Sequence, residues 1–144
     1  MIITGDDILS KPAEEREADL ARITELVRSL RRETVPLDIG RLAAVNESGR
    51  ALFYCAESRI VGCAILIIKA NLSIYMSSIE NVFVDADFRR RGIARTLVTQ
   101  LVDYSRRRGV RQIRIVMEPE NIEAGKLYAS AGFEPVTRTR WRIS

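Results

Sequence analysis

Residues 79–94 constrain what this chain can fold into more than any other stretch. They read Ile79-Glu80-Asn81-Val82-Phe83-Val84-Asp85-Ala86-Asp87-Phe88-Arg89-Arg90-Arg91-Gly92-Ile93-Ala94: an apolar strand, a basic turn with one glycine, and the start of a helix. A strand that feeds a helix N-terminus through such a turn presents unpaired backbone N–H groups to an anion. The helix is marked by Ile93, Ala94, Leu97, Val98, Leu101 and Val102, which recur every three or four residues. Arg95, Thr99, Gln100 and Asp103 fall between them, so one face packs and the other meets water. The pattern predicts an end near Arg108. There Gly109 supplies a left-handed stop, and Arg106, Arg107 and Arg108 complement the negative end of the helix dipole.

Charge placement supports an anionic ligand. Between Ala86 and Arg114 stand nine arginines and two acids, a local excess of seven positive charges, whereas the whole chain carries only +4. Everything else therefore sums to minus three. A basic patch confined to the proposed phosphate turn and its helix suits a polyanion; the alternative is a solvated, arginine-rich helix face.

A length of 144 residues is enough for one domain with a core of its own, residues 1–144. Asp6 and Asp7 sit where a secretory signal would need an apolar run, and the longest apolar stretch, Ala64 to Ile68, falls far short of a membrane span. A soluble, cytoplasmic protein is the expectation. Cys55 and Cys63 are the only cysteines, lie on successive apolar strands without metal or redox spacing, and read as reduced packing residues. Histidine is absent. Its absence excludes Ser-His-Asp and Cys-His catalysis and His-based zinc sites, so acid–base work falls to carboxylates, tyrosine, backbone amides or water, and no metal is expected.

The remaining elements follow from periodicity. An edge strand is predicted over Met1–Thr4. A helix starts at Pro12 and ends near Arg32, carrying Leu20, Ile23, Leu26, Val27 and Leu30, and a shorter helix covers Ile39–Val45. Strands are predicted over Ala51–Glu57, Ile60–Lys69, Ser73–Val84 and Ile113–Met117, with a helix after Asn121 and final strands near Phe133–Val136 and Thr139–Ile143. This order is α+β, a largely mixed sheet covered by helices.

Arg89-x-x-Gly92-x-Ala94 after a strand resembles the acyl-coenzyme A signature of the GCN5-related N-acetyltransferases, the GNAT superfamily. The segment from Asn121 to Phe133 resembles that family's next helix, with an Asn at its start, a Tyr directly after a Leu (Leu127-Tyr128) and a closing Gly132-Phe133. The likeness is tightest over residues 59–134. Ala94 stands where a second glycine is commoner. Gly125 interrupts the helix at a cost of roughly 1 kcal/mol relative to alanine, with no reason visible in the sequence.

The resemblance implies a mixed, mostly antiparallel central sheet flanked by helices, whose strands ending at Val84 and starting at Ile113 splay apart into an acyl-CoA cleft. It implies acetyl-CoA as acyl donor. Arg89, Arg91, Gly92, Ile93 and Ala94 would hold the diphosphate, Val82 and Val84 would offer backbone groups to the pantetheine arm, and Asn121 would add a bond to it while capping its helix. Tyr128 would protonate the leaving thiolate; its structural alternative is a buried aromatic. Glu80, nine residues before the first motif residue, would be the general base on the same strand face as Val82 and Val84; its alternative is an ion pair with an arginine. Trp141, Arg140 and Arg142 would line the acceptor pocket or, more simply, pin a final strand.

The activity this implies is N-acetyl transfer to a primary amine by direct attack, with a small-molecule acceptor favoured and a protein or peptide N-terminus or lysine as the alternative. Two rivals remain: a catalytically silent CoA-binding regulatory domain, and nucleic-acid binding through the arginine patch. The low net charge and the scarcity of stacking aromatics argue against nucleic acid. No membrane partner is expected. Homodimerisation is common in the resembling family, and the sequence does not decide it.

Overall fold

The hairpin turn at Glu57 and Ser58 organises the first half of the sheet. Both residues have positive φ, 51° and 62°, the left-handed pair that lets two twisted strands join through two residues. In the computed structural model, which describes residues 1–29, 34–117, 121–136 and 143, this turn links β2 (Gly49–Ala56) to β3 (Arg59–Ala70), and β4 (Tyr75–Val84) returns beside β3. β1 (Ile2–Thr4) lies outside β2, and β5 (Gln112–Ile115) outside β4. The order is β1-β2-β3-β4-β5, antiparallel except for β4 and β5, which run parallel. An open, mostly antiparallel sheet flanked by helices is thus the architecture expected from the sequence.

Each face of the sheet carries its own core. On one side α4 (Ile93–Arg107) and α5 (Ile122–Ser130) pack over Leu52, Val61, Ala64, Leu66 and Ile79. On the other, α1 (Gly5–Leu9), α2 (Ala13–Arg28) and α3 (Ile39–Ser48) enclose Ala51, Phe53, Ile60 and Cys63. Alternation along β2 and β3 makes this division possible, because successive residues point to opposite faces. Cys63 is buried, and burial pushes its thiol up to about 12, while Cys55 is half-buried and free.

Helix α1 has no counterpart in the sequence reading, where Asp6 and Asp7 served only to exclude a signal segment. Thr4 and Asp7 form a reciprocal capping box: Thr4 N–H donates to Asp7 Oδ2 at 2.8 Å and Asp7 N–H to Thr4 Oγ1 at 3.2 Å. The Thr4 N–H bond, and after it the Thr4 hydroxyl, holds the Asp7 carboxyl below its ordinary value. β4 begins at Tyr75 rather than Ser73, because Asn71 Oδ1 accepts from Ser73 N–H and Ile74 N–H and holds them in a turn.

The strand expected over Phe133–Val136 does not form. Gly132 takes a φ of 96°, and Phe133 N–H donates back to the Tyr128 carbonyl at 3.0 Å, so the chain is tied to the end of α5. Phe133 then meets the Tyr128 ring edge-on, 6.2 Å between centroids. The strand expected over Thr139–Ile143, and with it Arg140, Trp141 and Arg142, lies outside the described residues apart from Ile143.

Candidate active site

β4 and β5 stay together for four residues only. Their register runs from Met76 beside Gln112 to Ile79 beside Ile115, and the last bond joins Val116 N–H to the Ile79 carbonyl at 3.1 Å. From Glu80 to Val84 the β4 edge has no strand partner on this side among the described residues. Exposed strand edges offer alternating N–H and C=O groups to an extended ligand. Val82 and Val84, expected to contact the pantetheine arm, lie on this edge, their side chains packed against the α4 core.

A bulge accompanies the parting. Ile65 pairs with Glu80 and Cys63 with Phe83, so Asn81 and Val82 together face the single residue Ala64. Asn81 has a φ of 53°, and its carbonyl accepts from Cys63 Sγ at 3.4 Å. The extra residue reverses the alternation. Glu80 therefore shares a face with Ile65 and Phe83, whereas Val82 and Val84 sit on the α4 side with Ile79. This corrects the expectation that Glu80 faces the same way as the two valines: unbroken alternation would place it there, and the bulge forbids it. Glu80 is half-buried and its Oε2 accepts from the Ser78 hydroxyl at 2.9 Å; among the described residues no arginine pairs with it.

The turn after β4 is built to leave donors free. Asp85 caps a 3-10 turn over Ala86–Phe88, its Oδ1 accepting from Asp87 N–H at 3.0 Å. Arg90 (φ 63°) and Gly92 (φ 78°) then reverse the chain into α4. Gly92 ends in the left-handed region and brings no capping side chain. The N–H groups of Ile93, Ala94 and Arg95 have no carbonyl four residues back within the helix, and among the described residues no other protein group accepts from them. A Cβ on Gly92 would meet nothing within 4 Å, so the turn faces open space.

Arg89 and Arg91, both exposed, bend back toward the strand. Arg89 Nε donates to the Val84 carbonyl at 3.2 Å and Arg91 Nη2 to the Asp87 carbonyl at 3.2 Å, with the Arg91 guanidinium 4.8 Å over the Phe88 ring. Each guanidinium keeps donors to spare. Gly62 sets the seat of the helix: a Cβ there would approach Ile93 Cγ2 to 2.9 Å, so the glycine lets α4 lie close on β3.

Asn121 caps α5, its side-chain oxygen accepting from Ala124 N–H at 3.1 Å. That confirms the capping half of its expected role. Tyr128 is 6% exposed and shares the α4 core with Val82, Val84, Phe88 and Ile93; its hydroxyl makes no hydrogen bond among the described residues. Burial pushes its phenol above the ordinary value, so the ring keeps its proton.

A polar pin beneath the turn has no trace in the sequence. Arg22 of α2 donates to Asp85 Oδ2 at 2.6 Å and to the Ile60 carbonyl at 2.8 Å, and Arg59 reaches Asp85 at 3.3 Å. Partners 63 residues apart leave no local signature.

Beside the bulge, on the face of Glu80, a cavity of about 440 Å³ opens between α2, α3 and the sheet. Val27, Leu37, Leu42, Phe53 and Ile65 line it; among the described residues Arg41 is its charged group and no carboxylate borders it. Among the described residues no group of three or more His, Cys, Asp or Glu stands together to hold a metal ion, and no helix is long and apolar enough to cross a membrane.

This geometry agrees with a match of residues 17–133 to the family model described as Acetyltransferase (GNAT) family. The chain belongs to the GNAT acetyltransferases. A ribosomal protein bS18-alanine N-acetyltransferase of Salmonella typhimurium is 38% identical over 64 residues, 44% of this chain and 43% of the relative. The alignment thus spans less than half of that relative's length. An acetyltransferase of Trypanosoma brucei superposes with a TM-score of 0.72 at 27% identity, covering 89% of this chain and 94% of that one. An aminoglycoside N-acetyltransferase solved in complex with CoA shares the fold, with a TM-score of 0.71 at 22% identity over 89% of this chain and 90% of that one.

Proposed function

We propose that this GNAT protein is an acetyl-CoA-dependent N-acetyltransferase that acetylates a primary amine by direct attack. The observation that carries the reading is the N–H row of Ile93, Ala94 and Arg95, placed directly after the Glu80–Val84 strand edge, both without a partner among the described residues. Diphosphate suits the first and an extended amide-bearing arm suits the second. A solved structural neighbour contains CoA.

In this reading Gly92, Ile93 and Ala94 hold the diphosphate through backbone N–H groups, and Arg89 and Arg91 add charge with their remaining donors. Val82 and Val84 offer main-chain bonds to the pantetheine arm, and the Asn121 amide N–H₂, unused by the cap, reaches the same arm. Acetyl-CoA supplies an acetyl group activated as a thioester. Glu80, oriented by Ser78, takes the proton of the acceptor ammonium, and an amide between Val82 and Val84 donates to the thioester carbonyl. Tyr128 gives its proton to the departing thiolate. Because the bulge turns Glu80 away from the valines, the base stands on the acceptor side of β4 while the valines stand on the donor side.

The acceptor we infer carries its amine on an apolar body. Among the described residues the cavity beside the bulge is lined mostly by aliphatic side chains and Phe53, with Thr24, Thr34 and Asn81 as polar neighbours and Arg41 as the charged one, which suits such a group and disfavours a polycationic aminosugar. A small amine and the N-terminal residue of a peptide both meet this description.

The test is a turnover screen of acetyl-CoA against apolar amines, amino-acid amides, peptides and aminosugars, read as free thiol, with calorimetry of acetyl-CoA binding alongside. Apolar acceptors are expected to release thiol catalytically, and Tyr128→Phe to lower kcat about 100-fold with acetyl-CoA affinity kept. Binding without turnover of any amine would leave a silent CoA-binding domain; no binding at all would remove the enzyme.

A further inference from the structure

Arg114 is one of the arginines that the motif and the resemblance leave without a role of its own. It lies on β5 directly beside Ser78 in the parallel register. Its neighbours Ile113 and Ile115 pack against the α4 core, so Arg114 projects from the opposite face, the face of Ser78 and Glu80. Its guanidinium makes no hydrogen bond or ion pair among the described residues, and Nη2 is buried without an acceptor. Buried donors are nearly always paired, and an orphan calls for a partner. Glu80, on the neighbouring strand and two residues further along, does not supply it: the pair is absent among ion pairs within 4.0 Å.

A guanidinium and a carboxylate therefore flank the mouth of the splay on one face without neutralising each other. Two residues of rise and one strand spacing put their Cα positions roughly 8 Å apart. That separation leaves room for a ligand with a cationic end for Glu80 and an oxygen end for Arg114. Primary amines with a carbonyl on the adjacent carbon present both.

We propose that Arg114 is a positioning residue which holds the carbonyl or carboxylate oxygen next to the acceptor amine, so that the acceptor is an α-amino acyl compound: an amino acid, its amide or a peptide N-terminus. This rests on the acetyltransferase reading above and narrows its acceptor. Arg114 anchors the carbonyl, Glu80 faces the amine, and the side chain of the acceptor points to the apolar cavity on the same face. Simple alkylamines lose the anchor. Polyamines and aminosugars lose it as well.

The experiment compares L-leucinamide with 3-methylbutylamine, which lacks only the carboxamide, as acceptors for the wild type, Arg114→Met and Arg114→Lys. Thiol release gives kcat and KM, and calorimetry gives acetyl-CoA affinity for each protein. Arg114→Met is expected to lose about 10- to 100-fold in kcat/KM for leucinamide, mainly through KM, with less than about 2-fold loss for 3-methylbutylamine and unchanged acetyl-CoA affinity. Arg114→Lys should recover part of the loss. Rejection of 3-methylbutylamine by the wild type alongside turnover of leucinamide is the extreme form of the same result. Equal losses on both amines, no loss on either, or no turnover of leucinamide by a wild type that binds acetyl-CoA would overturn the role of Arg114. A wild type that binds no acetyl-CoA would instead overturn the underlying reading. Leucine and leucyl-glycyl-glycinamide, run as further arms, distinguish a free amino acid from a peptide N-terminus.

Discussion

Helices α4 and α2 cover opposite faces of the same sheet, and they are attached by different forces. α4 presents Ile93, Leu97, Val98 and Leu101, all at most 5% exposed, and among the described residues its buried polar tie to the sheet is the Ser105 hydroxyl, which meets Ser77 at 2.6 Å and donates to the Val110 carbonyl at 2.7 Å. α2 also buries Leu20, Ile23 and Leu26, but it is pinned by charge as well: Arg22 to Asp85 and Lys11 to Asp19, both at 2.6 Å. The apolar attachment is insensitive to pH and salt. The polar one joins α2 to the end of β4 through an ionised carboxylate, directly before the turn into α4.

The largest expected effect tests the apolar side. Leu97→Ala removes a fully buried side chain from the middle of the α4 ridge and should cost about 3 kcal/mol. Denaturant unfolding at pH 7 and pH 3 should give the same loss at both. A strongly pH-dependent loss would show that α4 is not held by packing alone.

Asp85→Asn tests the other attachment and should cost about 2 kcal/mol at pH 7, since it breaks a largely desolvated pair and leaves Arg22 uncompensated. The bond from Arg22, then that from Asp87 N–H, then the charges of Arg22 and Arg59 hold the Asp85 carboxyl below its ordinary value of 3.8. A depressed carboxylate stabilises the fold above the unfolded pKa and loses that contribution as pH falls through the folded value. The gap between wild type and Asp85→Asn should therefore close as pH falls below the ordinary carboxylate value and through the lowered one. A gap that persists at low pH would mean that the pin works by shape and not by charge.

Gly92→Ala separates folding from binding at the place where the two faces meet. The added methyl meets no atom within 4 Å, so the cost is the left-handed φ of 78°, about 1 kcal/mol. If the proposed diphosphate site is right, acetyl-CoA affinity should fall further, about 10-fold or more, because the methyl would stand where backbone approaches the diphosphate. An unchanged affinity would move the diphosphate away from this turn.

What could be read from the sequence follows the same division. The turn, Gly92, Gly109 and the α4 stripe were legible because each is a local pattern in consecutive residues, and the sheet strands were legible from alternation. The face of Glu80 was not. A bulge shifts parity by one, and the left-handed Asn81 that marks it is an ordinary polar residue in the sequence. Arg22 with Asp85, and Arg114 beside Ser78, are brought together by topology across 63 and 36 residues and have no spacing to detect. Phe133–Val136 looked like a strand because its composition permits one, whereas the Gly132 turn and the edge-on contact with Tyr128 hold Phe133 against the helix end.

The smallest effect concerns Gly125, whose place inside α5 the sequence leaves unexplained. A Cβ there would lie 3.6 Å from Met117 Cε, ordinary van der Waals contact, and its φ is not in the left-handed region. The backbone is helical, with Gly125 N–H bonded to the Asn121 carbonyl at 3.1 Å. Nothing in this geometry requires glycine, so Gly125→Ala should stabilise the protein by about 0.5–1 kcal/mol through lower unfolded-chain entropy and better helix propensity. The rise in thermal midpoint should be a few degrees, roughly 3–6 °C if the whole chain unfolds as one unit. Kinetics then give the variant its meaning. If Gly125→Ala stabilises but slows turnover, the glycine serves motion of α5 and of the Tyr128 it carries; if both stability and turnover rise or hold, α5 is a rigid bracket like α4.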